Sequence, residues 1–282
     1  MPIYEEVYRP WHGRLVPDPR TWLIIARTGI RLHWKRSMIV LLLFAAIPFL
    51  VRVGQIYAST RLADFPELAQ MVSELKIDSS FFSEFLQGQA FFVFLVLIIA
   101  GAGQIANDRK FRALSIYFSR PVLFRDYIAG KFLIVGWYGS LITLIPGLIL
   151  FLLMVLLSTD STFFSDHWWV PLALLGQSLI ILLSLGGVIL ALSALTGRAR
   201  SAAILFFGLM TIPEMIRGIL PSLPSLGFIS LQALLKQTNA LLFGQELPFE
   251  FSVWAGLVVL TIITGLSLLA LWKRVRPTEV VR

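Results

Sequence analysis

The chain alternates long apolar blocks with short polar, basic ones, and the apolar blocks have membrane length. Six of them approach the about 20 mainly apolar residues that a helix needs to cross a bilayer core. They cover residues 38–57, 85–105, 132–157, 168–195, 202–220 and 253–272. The pattern predicts an all-α membrane protein with six transmembrane helices, because in lipid every backbone polar group must be satisfied within the spanning segment. The first block is interrupted by Arg52, and the fifth meets Pro213 and Glu214 before its end. The third and fourth exceed a minimal span, which predicts tilting or projection beyond the core.

The polar connections carry their own periodicities. In the N-terminal arm, residues 1–37, Arg20, Arg27, Arg31 and Lys35 fall on one helical stripe, with Trp22, Ile25, Gly29 and Leu32 on another side. Pro17-Asp18-Pro19 precedes the run, and Asp18 or Thr21 can cap it. This reads as an amphipathic helix in the membrane interface, basic side toward lipid headgroups. It either anchors the first span or also touches a partner protein. The arm has no apolar core of signal-peptide type, so the first span is expected to insert the chain.

Between the second and third spans, Gln104 to Phe118 is expected to continue the helix into water, with Phe111, Leu114 and Phe118 on one face. Pro121 ends that helix and pushes Arg120 toward an extended conformation. A second short helix, residues 122–127, then leads through Gly130-Lys131 into the third span. The result is a helix–break–helix elbow. Of the opposite connections, residues 58–84 carry Asp64, Glu67, Glu74 and Asp78 on a short helix, and residues 158–167 are brief and acidic. Residues 213–251 hold Pro213, Pro221, Pro224 and Pro248 among many leucines and read as a re-entrant helical hairpin before the sixth span.

Composition agrees with the pattern. Hydrophobic residues make up 57% of the 282 residues and charged residues 14%, against about a quarter charged in soluble domains. Counting Lys and Arg in the connections fixes an orientation. Nineteen fall on the side of the termini and the elbow and four on the other, with Arg52 inside a span. The positive-inside rule therefore predicts both termini in the cytoplasm, which requires an even number of spans. The net charge of +8 sits at the ends of apolar runs, which points to lipid headgroups and away from nucleic acid. Zero cysteines exclude disulfides and thiolate metal sites.

Catalytic constellations are lacking. His12, His33 and His167 have no ligand spacing. The one Gly-Lys pair, Gly130-Lys131, lacks the rest of a phosphate loop, and no Gly-x-Ser-x-Gly occurs. Three charged residues lie close to membrane depth: Arg52, Glu214 and Arg217. Glu214 and Arg217 can pair at i, i+3. These are either structural ion pairs at the outer boundary or the lining of an outer gate. A six-span membrane enzyme acting on lipids is the alternative that this inventory disfavours.

The segment "IANDRKFRALSIYFSRPVLFRDYIAGK" resembles the cytoplasmic signature of ABC-2-type transporter permeases. The matching residues are Asp108, Ala113-Leu114, Phe118-Ser119-Arg120-Pro121, Arg125-Asp126-Tyr127 and Gly130-Lys131. Where many members have Glu followed by Gly-Thr, this chain has Asp108 and Phe111-Arg112-Ala113. The resemblance implies a permease subunit in the inner membrane of a prokaryote that pairs with a second permease chain, as homodimer or heterodimer. It implies two copies of a separate ATPase subunit carrying ATP and Mg, and no cofactor on this chain. The elbow becomes a coupling helix, with Phe111, Leu114, Phe118 and Leu123 as apolar docking contacts, Asp108, Arg120 and Arg125 as polar ones, and Pro121 setting the break. A substrate is exported, or force is relayed from the same kind of ATPase without transport.

Overall fold

The computed structural model describes residues 20–62, 77–118, 122–158, 162–220 and 223–275. Among them the regular elements are helices: α1 Thr21–His33, α2 Arg36–Tyr57, α3 Ser79–Gly101, α4 Ala106–Lys110, α5 Ala113–Phe118, α6 Phe124–Ser140, α7 Leu144–Leu157, α8 Thr162–His167, α9 Val170–Leu195, α10 Ala199–Ile219, α11 Leu231–Leu242 and α12 Val253–Val275. A π turn, Ala58–Leu62, follows α2, and a 3-10 turn, Pro224–Ile229, precedes α11. Among the described residues six stretches are long and apolar enough to cross a membrane: Arg36–Arg61, Ser79–Lys110, Phe124–Leu157, Phe163–Leu195, Ala199–Ile219 and Val253–Val275. The chain is a multi-pass helical membrane protein.

The central helix is α9. It buries Ile181, Leu185, Ile189 and Ala194 and packs on α3, α6, α7, α10, α11 and α12, while Leu172, Leu175, Leu179 and Leu183 form an exposed stripe. A helix apolar all round belongs in a core or in lipid, and α9 combines the two, with most of its length in the core and the leucine stripe facing outward. On the periphery, α2 exposes Leu43 and Leu50, and α10 exposes Ile204 and Ile212. Side chains of that kind suit hydrocarbon, where exposure costs nothing, and not water.

Four features depart from the expected pattern or sharpen it. The third span is two helices, α6 and α7, separated by a turn at 141–143. Pro146 has no N–H to give the Ile142 carbonyl, and within the turn the Gly139 carbonyl accepts from the Ile142 and Thr143 amides and from the Thr143 hydroxyl, the last at 3.1 Å. The fifth span is not cut at Pro213: α10 runs through it to Ile219, as membrane helices permit when neighbours re-satisfy the backbone. The second span starts earlier than hydropathy suggests, because Asp78 caps α3, accepting from the Ser80 amide at 2.8 Å. Asp64, Glu67 and Glu74 lie outside the described residues.

The fourth feature is α11, a separate helix packed on α9, α10 and α12. Ser230 caps it by accepting from the Ala233 amide at 3.2 Å. Gln237 donates to the Phe249 and Phe251 carbonyls at 2.9 and 3.0 Å, which pins the extended return that leads into α12.

Candidate functional site: the elbow after the second span

The elbow is built by interruptions. Helix α3 stops at Gly101, where it meets α9 so closely that a Cβ would lie 2.7 Å from the Ile189 side chain. The turn at 102–105 leaves backbone groups without helical partners, and a single buried side chain takes up three of them. Ser193 Oγ, on α9, donates to the Ala102 carbonyl at 2.8 Å and accepts from the Ile105 and Ala106 amides at 3.0 Å each. Arg109 also donates to the Ala194 carbonyl. The start of α4 is thereby fixed to the last turns of α9.

A second break follows at Arg112, whose φ of 56° is left-handed. A non-glycine residue there ends a right-handed helix. So α5 takes a new direction, and the continuous amphipathic helix expected from Gln104 to Phe118 does not form. Nor is there a separate helix at 122–127. Leu123 is extended, and α6 begins at Phe124 and runs unbroken into the third span. Arg120 and Pro121 lie outside the described residues.

Across these breaks the chain closes a buried charge cluster. Lys131 Nζ lies 2.7 Å from Asp108 Oδ2. The same carboxylate oxygen accepts from the Tyr127 hydroxyl at 2.7 Å. Lys131 also donates to Gln104 Oε1 at 3.3 Å, and Gln104 donates to the Ala100 carbonyl at 2.8 Å. The Tyr117 and Tyr127 rings meet edge-on at 5.3 Å, and the Lys131 ammonium sits 5.9 and 5.3 Å from their centroids. The Lys131 side chain is 7% exposed and that of Asp108 18%. Burial, and then the Asp108 charge, push the Tyr117 hydroxyl above the usual phenol range. Residues 23 positions apart in sequence thus lock α4 to α6.

This changes the reading of the predicted contacts. Asp108 is committed to Lys131 and Tyr127 and does not present itself to a partner. Phe111 is 69% exposed, whereas Leu114 and Phe118 are partly buried against the core, with Phe118 5.9 Å from the Tyr127 ring. The i, i+3, i+7 stripe splits because the left-handed residue lies between Phe111 and Leu114. What the elbow exposes is Phe111, Ile116 at 64% and Leu123 at 47%, together with Arg112 and Arg125. Sequence reasoning missed Ser193, Gln104, Tyr117 and the pairing role of Lys131. The available signal was a lysine directly ahead of an apolar run, since ionisable residues in spans come with partners.

Helix α1 lies along α6. Ile25, Ala26 and Gly29 are buried there, and Gly130 faces Ile25 and the Trp22 carbonyl so closely that a Cβ would meet them at 2.8 and 2.9 Å. Tyr138 donates to the Ile30 carbonyl at 2.7 Å and stacks on Trp34 at 6.1 Å. Arg20, Arg27, Arg31 and Lys35 are exposed. The expected apolar side is only half used, since Leu32 stays 63% exposed. His33 Nδ1 lies 2.9 Å from the Gly29 carbonyl. Burial pulls its pKa below the ordinary histidine value, with Lys131 and Lys35 adding to the effect.

The three membrane-depth charges form two clusters. Arg52 joins α2 to α3 through Glu84 at 3.0 Å and lies over the Phe81 ring at 4.7 Å. Glu214 accepts from Arg217 at 2.6 and 3.1 Å and from the Ser230 hydroxyl at 2.6 Å, tying α10 to the cap of α11. Among the described residues no ion pair joins Arg52 to Glu214. Neither protein-family models nor curated proteins give a match to this chain.

Proposed function

We propose that the chain is the membrane-embedded permease subunit of an ABC-2-type exporter, and that the elbow receives force from a separate ATPase subunit. The observation that carries this reading is the exposed set Phe111, Ile116, Leu123, Arg112 and Arg125 on an elbow whose underside is bonded to α9 and α6. Aromatic and arginine side chains are what protein interfaces favour, and a stiff elbow passes displacement to the spans without absorbing it. Asp108 takes the part of a positioning residue, not a docking contact. The positive-inside count puts the elbow in the cytoplasm, where an ATPase resides. ATP and Mg belong to that partner, present in two copies, and two permease chains line the path.

The test is copurification with the ATPase encoded beside this chain, followed by ATPase assay in nanodiscs. Phe111→Glu and Arg125→Glu together are expected to lower copurification at least tenfold while the helical signature is unchanged. Unchanged copurification by the double variant, or no ATPase bound by the wild type, overturns the reading. Substrate-stimulated ATPase activity then separates export from a relay of force.

A further inference from the structure

Helices α3, α9, α10 and α11 line a cavity of about 340 Å³ that runs from mid-span away from the elbow. Its walls are mainly apolar, including Phe91, Ile181, Leu185 and Met210. It opens sideways across α3, where Gln87, Ala90 and Phe91 are exposed. That opening lies within a membrane-spanning stretch, so hydrocarbon has direct access to it. Pockets of this size with apolar walls and a few convergent polar groups are the common form of small-ligand sites.

Lys236 is the one charged side chain among the lining residues. Its neighbour Glu214 is already occupied: both carboxylate oxygens accept from Arg217, and one also from Ser230. Lys236 Nζ makes a looser ion pair with Glu214 Oε1 at 3.8 Å, too long for a hydrogen bond. The cluster of Glu214, Arg217 and Lys236 carries one positive charge in excess, and Lys236 holds it at the rim, with its side chain 42% exposed. Of the other polar lining groups, Gln87 donates to the Ser83 hydroxyl at 3.3 Å, and among their buried atoms only Asn239 Oδ1 has no partner. Gln177 donates to the Leu235 carbonyl, Gln232 to the Met210 carbonyl, and the Asn239 amide to Ser83.

An apolar slot whose one charged lining side chain belongs to a cluster of net charge +1 matches an amphiphile with one anionic head. At about 340 Å³ the slot is at the small end of ligand pockets, a size that suits one chain better than two. We propose that this cavity binds a single-chain anionic amphiphile of the fatty-acid type drawn from the bilayer. The anionic head sits on Lys236 and the chain lies between α3 and α9. The proposal goes beyond the coupling function and does not depend on it.

The test uses radiolabelled dodecanoate and the purified chain alone in nanodiscs, with empty nanodiscs as background and dodecan-1-ol as neutral competitor. Saturable binding near one per chain is expected, with dodecan-1-ol competing roughly tenfold less well, the scale of a hydrogen bond to a charge. Lys236→Gln should weaken dodecanoate about tenfold and leave dodecan-1-ol unchanged. Leu185→Trp should remove both. If that variant loses its helical signature, Ala90→Trp at the exposed mouth replaces it, with the same expectation. Binding no higher than in empty nanodiscs overturns the proposal, as does equal competition by acid and alcohol. So does dodecanoate binding by monomer but not by dimer, which assigns the opening to a second copy. Because no ATPase is present, failure here leaves the coupling function standing, and loss of copurification leaves this site standing.

Discussion

The pair that closes the elbow, Asp108 and Lys131, can be broken from either side. Two unit charges 2.7 Å apart attract by roughly 6 kcal/mol at an effective dielectric of 20. Most of that is cancelled by the cost of taking both out of water, so the pair itself adds little stability. Removing one partner is different, because the desolvated survivor keeps its cost and loses its compensation, typically about 3–5 kcal/mol. Both survivors here have partial relief. In Asp108→Asn the ammonium retains Gln104 at 3.3 Å and two aromatic faces, and in Lys131→Met the carboxylate retains the Tyr127 hydroxyl at 2.7 Å. Each single change is therefore expected near the lower end, about 3 kcal/mol. At about 2 °C per kcal/mol for a chain of this size, that is a fall in Tm of about 6 °C.

The double variant Asp108→Asn with Lys131→Met leaves no buried charge and should lose only about 1 kcal/mol, or about 2 °C. The assay is thermal unfolding in nanodiscs followed by the helical circular dichroism band, run as a double-mutant cycle. The reasoning fails if the double variant falls by the sum of the singles, about 12 °C, since that is how two independent sites behave. If the pair also stiffens the elbow for coupling, the double variant should bind the ATPase as wild type does yet show a lower ratio of transport to hydrolysis.

Three further outcomes can be checked. Ser193→Ala strands the Ile105 and Ala106 amides and the Ala102 carbonyl; a cost of about 2–4 kcal/mol should appear as a Tm lowered by about 4–8 °C with wild-type helix content. Gly130→Ala drives a Cβ to 2.9 Å from the Trp22 carbonyl, backbone that cannot rotate away, so α1 should lift from α6 at about 1–3 kcal/mol. The chain has no cysteine, so a single thiol at Ala26, now 1% exposed, should label faster in that background. His33 has a folded-state pKa below the ordinary histidine value of 6.5. The unfolded chain then binds more protons than the folded one just below pH 6.5, and stability falls as pH drops through that window. Wild-type Tm should decrease from pH 7 to pH 5 by more than that of His33→Gln, and parallel curves for the two proteins would exclude the histidine as the cause.

How far the fold can be read from the chain depends on the distance over which each cause acts. The six spans are legible because hydrophobicity and length are local properties of about 20 residues, and α2, α3, α9, α10 and α12 fall where the apolar blocks fall. The Glu214–Arg217 pair is legible for the same reason, its partners lying three residues apart. The elbow is where local reasoning fails. Helical periodicity put Phe111, Leu114 and Phe118 on one face, an inference valid only while φ stays right-handed, and Arg112 at 56° voids it. That residue sits at the break because α4 is held from outside, by Ser193 and Ala194 more than 80 positions further along the chain. The same holds for Lys131. As sequence it is a basic residue obeying the positive-inside rule; only once α4 has been fixed to α9 does Asp108 arrive beside it, and a charge that looked like surface becomes the bolt of the joint.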